Sequence, residues 1–332
     1  GRNHQTVNTS VEIEEAILKA AQAIDILATS KAYMSAKTEA TDGGFFSGTQ
    51  LQAKNTLIRN TTVDIEDGAH IEADRGNVTI KAVSGTEDHI ITRAKIKSGG
   101  VVNLAKAKVT TDLDLNTQVN IKSGSKIVAT FNTVHISADG SLWYLDSDAD
   151  VDASGMGTAP RAETFTDVSI SPEVNITGAT DNLVSIIANI VELRTFTSCI
   201  CVSDRTFSKG KAIGANVDGN VDLDVEVDSI ILIRNAVIKG YGKINIKSIS
   251  SPTGDSINVY GYSKIVLAAA GEGTARVDMD YDNDTEVDID TGVVMYGYDV
   301  YIEAVKPTAV ATYGRETDGF IVKNKRGTQN IR

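Results

Sequence analysis

The chain has 332 residues, a net charge of −12 at pH 7, 5% aromatic residues and 4 prolines. This acidic balance, with no basic patch in the sequence, excludes nucleic acid as an expected partner and disfavours binding to anionic membranes. No apolar run approaches the ~20 residues that are needed to span a bilayer.

A phrase of two apolar residues separated by one residue recurs along the chain at steps of 52 to 57 residues. Its copies are Val11–Ile13, Val63–Ile65, Val119–Ile121, Val174–Ile176, Ile231–Ile233 and Val287–Ile289. A second phrase follows each copy, at Ile24–Ala28, Val78–Ala82, Val134–Ala138, Val191–Leu193, Ile244–Ser248 and Val300–Ala304. Self-similarity at a fixed long period predicts a stacked array.

Apolar residues two positions apart lie on one face of a strand, and the polar residues between them suit the wet face. The fixed long period and the absence of hairpin signals favour a solenoid over a sandwich. The sequence therefore predicts an all-β, parallel, right-handed β-helix of about six imperfect repeats of roughly 56 residues. Residues 1–332 are expected to form one continuous segment.

Each repeat is expected to fold as two or three coils of roughly 19 to 28 residues, the usual range for solenoid repeats. At about 4.8 Å per coil, the chain would then form a rod roughly 55–80 Å long.

The first repeat also fits a helix, because Ile13, Ile17, Ala20 and Ile24 have helical spacing with charged residues opposite. Strand is the favoured interpretation of residues 11–36, since Val11 and Ile24 keep the register of the later repeats.

The connections between strands carry recurrent small residues. Gly68, Gly124 and Gly292 each follow a first phrase by three residues, where the chain has to turn and glycine adopts a positive φ at low cost. The pairs Gly43–Gly44 and Gly99–Gly100 predict further corners. Asn or Asp followed by Thr just before the first phrase predicts a turn as well, because these side chains bond to their own backbone.

Three runs of alternating carboxylates stand out, and each places its carboxylates on one strand face. One interpretation is a calcium site, and the favoured one is a solvated face that keeps the protein soluble and discourages lateral pairing. The runs are Asp146, Asp148, Asp150, Asp152; Asp222, Asp224, Glu226, Asp228; and Asp278, Asp280, Asp282, Asp284.

Other candidate residues form no recognisable catalytic or metal-binding motif, so no catalytic residue, cofactor or metal ligand is predicted. Cys199 and Cys201 are interpreted as buried thiols on one strand face. The four histidines are scattered. Exposed tyrosines would suit a sugar ring or a protein partner, and ordinary cross-strand packing is the alternative. These tyrosines are Tyr260, Tyr262, Tyr296, Tyr298 and Tyr301.

Several stretches are similar to the repeats of large bacterial filamentous-haemagglutinin-type exoproteins, including the leukotoxin-like filamentous adhesins. They are Thr61–Ala73, Gly76–Ala82 and Thr38–Gly44. The resemblance implies a secreted right-handed β-helix on a bacterial surface that acts in adhesion. It transfers no functional residue to this chain.

The sequence thus predicts a non-enzymatic, extracellular, structural or adhesive rod of a bacterial surface or filament protein. The chain begins and ends within a repeat, which predicts a piece of a longer protein or a subunit that stacks end to end on like subunits. Glycans or cell-surface proteins are the other expected partners. The alternative is a polysaccharide lyase or hydrolase, for which Asp148–Thr166 is the best candidate for an inserted loop.

Overall fold

The computed structural model describes residues 1–250, 257–267, 271–306, 309–318 and 329–331. These residues form strands in parallel ladders, which confirms the predicted all-β solenoid class. Within these ranges, the chain forms no helix that is long and apolar enough to cross a membrane. The strands are β1 (Arg2–Ile13), β2 (Ile17–Ala20), β3 (Ile24–Ser30), β4 (Tyr33–Ile65), β5 (His70–Ala73), β6 (Val78–Ser84), β7 (His89–Ile121), β8 (Lys126–Ser154), β9 (Gly157–Thr158), β10 (Arg161–Thr177), β11 (Val184–Lys211), β12 (Gly214–Arg234), β13 (Ala236–Ser250), β14 (Ile257–Leu267), β15 (Gly271–Ile289), β16 (Val294–Val305), β17 (Ala309–Asp318) and β18 (Gln329–Ile331).

Residues 11–36 form strands, as the repeat register predicts, and not the alternative helix. The end of β1, then β2 and β3, and the start of β4 pair in parallel with the equivalent segments of the next repeat. The helical spacing of the apolar residues arises because short strands are separated by corners.

The expectation of two or three coils per repeat is wrong, because each repeat makes one wide coil. Val63 pairs with Val11 on one side and with Val119 on the other. The ladder then continues through Val174 and Ile231 to Val287. A residue therefore stacks directly on its own copy in the neighbouring repeat. The sequence predicted several coils per repeat because strands of about five residues would fill only part of a long repeat. The strands in the structure instead continue through bends, and one of them runs from His89 to Ile121.

The predicted rod length is wrong for the same reason. The six residues of this ladder are separated by five steps of about 4.8 Å, so they extend roughly 24 Å along the axis. Across the axis, an extended stretch such as 103–121 spans about 60 Å. The described coils therefore form a short stack that is wider than it is long.

Each coil contains three main stretches. The broad sheet contains residues 2–13, 47–65, 103–121, 158–176, 215–233, 271–289 and 329–331. The facing sheet contains residues 33–42, 89–98, 144–153, 201–210, 257–267 and 309–318. The third sheet contains residues 24–30, 78–84, 134–140, 191–197, 244–250 and 300–305.

The core lies between the broad sheet and the other two sheets, and it is divided into apolar clusters by polar seams. Valine and isoleucine columns fill the space against the third sheet. Larger apolar residues fill the middle, and an alanine-rich cluster lies at the end near Gly99. Hydroxyl columns separate the clusters: Ser84 bonds to Thr117 in one seam, and Thr111 bonds to Thr92 in the other. These bonds satisfy buried hydroxyls that would otherwise be costly.

The glycine corners are confirmed where the sequence placed them. Gly68, Gly124 and Gly292 have φ of 76°, 70° and 74°. At the bend Gly43–Gly44, the two glycines pair with Gly99 and Gly100 of the next coil. A Cβ on Gly100 would lie 2.2 Å from the carbonyl oxygen of Gly44, so only glycine fits this close approach.

The expectation of a turn at the Asn-Thr phrase is wrong, since this phrase lies inside continuous strands. Asn60 donates its amide to the side-chain oxygen of Asn8 at 3.0 Å, and Asn116 donates to that of Asn60 at 3.2 Å. Asparagine recurs here because its amide both donates and accepts, which allows identical side chains to form a ladder.

The segment Asp148–Thr166 is not an inserted loop. Asp148–Ser154 pairs with residues 93–99, and Arg161–Thr166 pairs with residues 106–111. Between them, Gly157 and Thr158 pair with Val102 and Asn103. The segment therefore follows the same path as the other coils.

A buried ion pair joins two sides of one coil near the middle of the core, and its carboxylate also bonds to the preceding coil. Arg59 and Asp88 are both completely buried, with Nη1 of Arg59 2.5 Å from Oδ2 of Asp88. The other oxygen of Asp88 accepts the backbone N–H of Ala32 at 2.8 Å. In the ladder, Arg59 occupies an inward position between Val7 and Leu115. The pair thus places charge in an otherwise apolar column, and each partner depends on the other.

We expect Asp88→Asn to lower the free energy of unfolding by about 3–5 kcal/mol, because it leaves Arg59 buried without its counter-charge. The double variant Arg59→Met with Asp88→Asn is expected to recover part of this loss. Urea unfolding followed by circular dichroism measures both. The control is Glu87→Gln, which removes the exposed ion pair between Glu87 and Lys31 and should change stability little. An equal loss in this control would contradict the prediction.

Candidate functional site

Two of the predicted acidic runs stack directly on each other on the outer face of the broad sheet. Asp222, Asp224, Glu226 and Asp228 pair in register with Asp278, Asp280, Asp282 and Asp284. The carboxylates of earlier coils extend this surface, since Asp112 pairs with Asp167 and Asp167 pairs with Asp224. We call these residues the acidic array: Asp112, Asp114, Asp167, Asp222, Asp224, Glu226, Asp228, Asp278, Asp280, Asp282 and Asp284.

The array places like charges close together, and partial burial together with this repulsion raises the pKa of some of its members. The pKa of Asp224 is raised by partial burial and then by Asp167 and Asp280 on either side. For Glu226, the charge of Asp228 is the largest cause of the raised pKa. Three cations lie at its margins: Arg276 contacts Asp278, Lys306 lies 3.4 Å from Asp284, and Lys54 lies 4.0 Å from Asp112. The array is therefore a strongly negative surface with little neutralisation at its centre.

The third acidic run, on the facing sheet, has the opposite environment. Asp148, Asp150 and Asp152 lie between Arg93, Lys95 and Lys97 of one neighbouring coil and Arg205, Phe207 and Lys209 of the other. Lys95 lies 3.3 Å from Asp150. Charges of opposite sign thus alternate from coil to coil, so this run binds neighbouring coils together.

Asp146 is the best held carboxylate of this run. Arg93 contacts one of its oxygens, and Arg205 donates to the other at 2.9 Å. The two arginines come from the coils on either side and cover the carboxylate, which is 1% exposed. Charge-assisted hydrogen bonds of this kind are stronger than neutral ones.

A buried carboxylate that the sequence analysis did not single out lies in the seam between broad and facing sheets. Asp204 is completely buried, and burial raises its pKa to about 7. The hydroxyls of Thr164 and Thr166 oppose this shift, while the charges of Asp222 and Asp146 add to it. Asp204 stacks on Ser147 in one coil and on Gly261 in the next. The sequence could have indicated this burial, because Asp204 occupies an inward position in the alternation of residues 202–206.

The remaining candidates from the sequence do not come together. Tyr260 and Tyr262 stack with their ring centroids 6.1 Å apart on β14, and Tyr262 donates to Glu316. Tyr296, Tyr298 and Tyr301 lie on β16, in a different sheet, and are exposed.

Neither the histidines nor the cysteines form a site. His70 and His135 each lie beside a single glutamate, Glu72 and Glu192. Cys201 is half-buried, not buried as expected, and the Cys199 side chain lies outside the described residues. Within the described ranges, no three His, Cys, Asp or Glu side chains converge closely enough to hold a metal ion.

Comparison of this chain with protein-family models, with curated proteins and with solved structures gives no match.

We expect Asp224→Asn and Asp228→Asn to stabilise the protein at pH 7 and to raise its melting temperature (Tm), because the pKa of each carboxyl is raised by partial burial and by neighbouring carboxylates. The gain in the free energy of unfolding should be less than about 1 kcal/mol for each variant, since solvent screens partly exposed charges. A pKa that is raised on folding means that ionisation opposes folding. Such a carboxyl group stabilises the folded protein fully when the pH is below its pKa in the unfolded state, which is near 4. This stabilisation is lost as the pH rises through the higher pKa of the folded state. The gain should therefore shrink at pH 4 and in high salt.

The control for these variants is Asp146→Asn, the same substitution in the neutralised run, which should lower stability by about 2 kcal/mol. Thermal melts followed by circular dichroism compare all three. A rise in Tm with calcium beyond that caused by sodium at equal ionic strength would contradict simple repulsion and indicate bound calcium.

We expect Asp204→Asn to stabilise the protein at pH 8 and to leave it unchanged near pH 4. The folded pKa of Asp204 is about 7, above the unfolded value, so the wild type loses stability as the pH rises from about 4 to 7. The full effect amounts to several kcal/mol. Thermal melts across this pH range measure it, with the exposed Asp25→Asn as control. Parallel pH profiles for wild type and Asp204→Asn would contradict it.

Proposed function

We propose that this chain is a non-catalytic, structural β-solenoid segment that stacks end to end with further coils in an extracellular filament or adhesin of a bacterial surface. The observation that carries the proposal is the exposure of core columns at the end coils. Ile302 is 47% exposed, whereas Ile246, which stacks on it, is completely buried. At the other end, Val11 and Ile13 are half-buried, while their stacking partners Val63 and Ile65 are buried.

Another coil placed on either end would bury these residues and extend the ladders by the same parallel pairing. We infer that this coil belongs to a second copy of the chain, because Val11 and Ile13 on the first coil and Val287 and Ile289 on the last coil are the two ends of the same ladders. Contacts of this kind join two different surfaces, so they do not close and they generate open filaments. Because the described coils extend little along the axis, a rod would arise by such stacking.

The adhesive and extracellular parts of the proposal rest on the resemblance of the repeat phrases to filamentous-haemagglutinin-type exoproteins. The solenoid supports display of its outer faces along an axis, with cell-surface glycans or proteins as partners. The alternative of a polysaccharide-processing enzyme loses its main support, because Asp148–Thr166 follows the regular coil and forms no inserted loop.

We expect the purified chain to form linear stacks in negative-stain electron microscopy and a mass in light scattering that rises with protein concentration. Val300→Asp with Ile302→Asp should abolish stacking, because it places charge on the exposed core of the last coil. The control Ile213→Asp changes an exposed apolar residue on the side of the coil and should leave stacking unchanged. Monodisperse monomers of the wild type at every concentration would refute end-to-end stacking.

A further inference from the structure

The bend between the facing sheet and the broad sheet carries exposed apolar side chains on successive coils. Phe45 and Phe46 protrude on one coil, with their ring centroids 5.0 Å apart. Phe46 pairs with Val102 of the next coil, and Val102 pairs with Gly157, which pairs with Gly214. We call the exposed apolar residues of this bend the apolar ridge: Phe45, Phe46, Val102, Leu104, Met156 and Ile213.

The ridge is continuous from coil to coil because the backbones of the bend are bonded to one another. Met156 donates its N–H to the carbonyl of Val101 at 3.0 Å, and Gly214 donates to the carbonyl of Met156 at 3.3 Å. The side chains nevertheless remain in solvent, with Phe46 75% exposed and Ile213 74% exposed. Apolar groups clustered at a convex edge are typical of an interaction surface.

Cations flank the ridge on both sheets. Lys97, Lys209 and Lys211 precede the bend on the facing sheet, and Lys106, Lys108 and Arg161 follow it on the broad sheet. Four carboxylates lie among them: Asp42 directly precedes the bend, Asp218 stacks on Arg161, and Asp152 and Glu163 form ion pairs. Asp152 lies 3.4 Å from Lys211, and Glu163 lies 2.9 Å from Lys106. Lys97 and Lys209 stack on either side of Asp152, and Arg161 also contacts Glu163. Six cations thus stand against four carboxylates, so the flanks keep a small excess of positive charge.

The acidic array does not cancel this local charge. Asp112 follows Leu104 by eight positions on an extended strand, which corresponds to about 26 Å. Electrostatic interactions in solution decay over about 8 Å at physiological ionic strength. A negatively charged surface in contact with the ridge would therefore interact with the lysines and not with the array, despite the net charge of −12.

We propose that the apolar ridge and its flanking cations form a membrane-docking edge that binds the surface of an anionic phospholipid bilayer. Phenylalanine and aliphatic side chains partition into the boundary between headgroups and acyl chains, and neighbouring lysines bind anionic headgroups. A convex edge suits a deformable lipid surface, whereas a protein partner would have to supply a groove of matching shape. The proposal concerns the side of the coils and is independent of end-to-end stacking.

Flotation with lipid vesicles tests the proposal. The wild-type chain is expected to float with phosphatidylcholine vesicles that contain about 30% phosphatidylserine, and to bind pure phosphatidylcholine vesicles at least tenfold more weakly. Binding to the anionic vesicles should weaken in high salt, because salt screens the lysine–headgroup attraction.

Two variants separate the apolar and the charged contributions. Phe45→Ser with Phe46→Ser, and separately Lys97→Gln with Lys106→Gln, should each weaken binding to anionic vesicles about tenfold. The control Tyr296→Ser with Tyr298→Ser changes two exposed aromatic residues on β16 and should bind like wild type. Circular dichroism verifies that all variants remain folded.

Absence of wild-type binding to anionic vesicles would overturn the proposal. So would an equal loss of binding in the tyrosine control, since binding would then not depend on the ridge. If the phenylalanine variant changed self-association in light scattering and left vesicle binding intact, the ridge would be a contact between copies of this chain, and the membrane proposal would fail.

Discussion

The structure depends on one constraint, which is that the strand residues of each described coil stack about 4.8 Å above their copies in the next coil. The ladder from Val11 to Val287 shows this stacking directly. An inward position therefore has to be satisfied by a column of similar side chains. Isoleucine on isoleucine gives continuous apolar burial, and hydroxyl on hydroxyl gives a hydrogen-bonded seam.

The same constraint explains the charge distribution of the outer faces. When opposite charges follow each other from coil to coil, as around Asp146, the stack is held together by ion pairs. When like charges follow each other, as for Asp167 and Asp224, electrostatic repulsion adds to partial burial in raising the pKa of the carboxylates. On the broad sheet, exposed carboxylates of this kind favour hydration and disfavour pairing with another sheet.

Charged groups inside the stack follow from the same geometry. Arg59 interrupts an apolar column and is balanced by Asp88 from the same coil, with a backbone contact to the preceding coil. Asp204 ends a polar seam against Gly261 and has no cation beside it, so its neutral form is favoured by burial. The two residues show that a buried charge is tolerated either by pairing or by protonation.

The sequence by itself determined the class of fold, the strands of residues 11–36 and the glycine corners. These features depend on alternation and on local backbone preferences, which can be read from neighbouring residues. Only the tertiary structure decided how many coils a repeat makes, whether the acidic runs face like or opposite charges, and whether Asp148–Thr166 loops out. Each of these depends on which residues, some 52 to 57 positions apart, lie side by side, and that register is set by where the long strands bend.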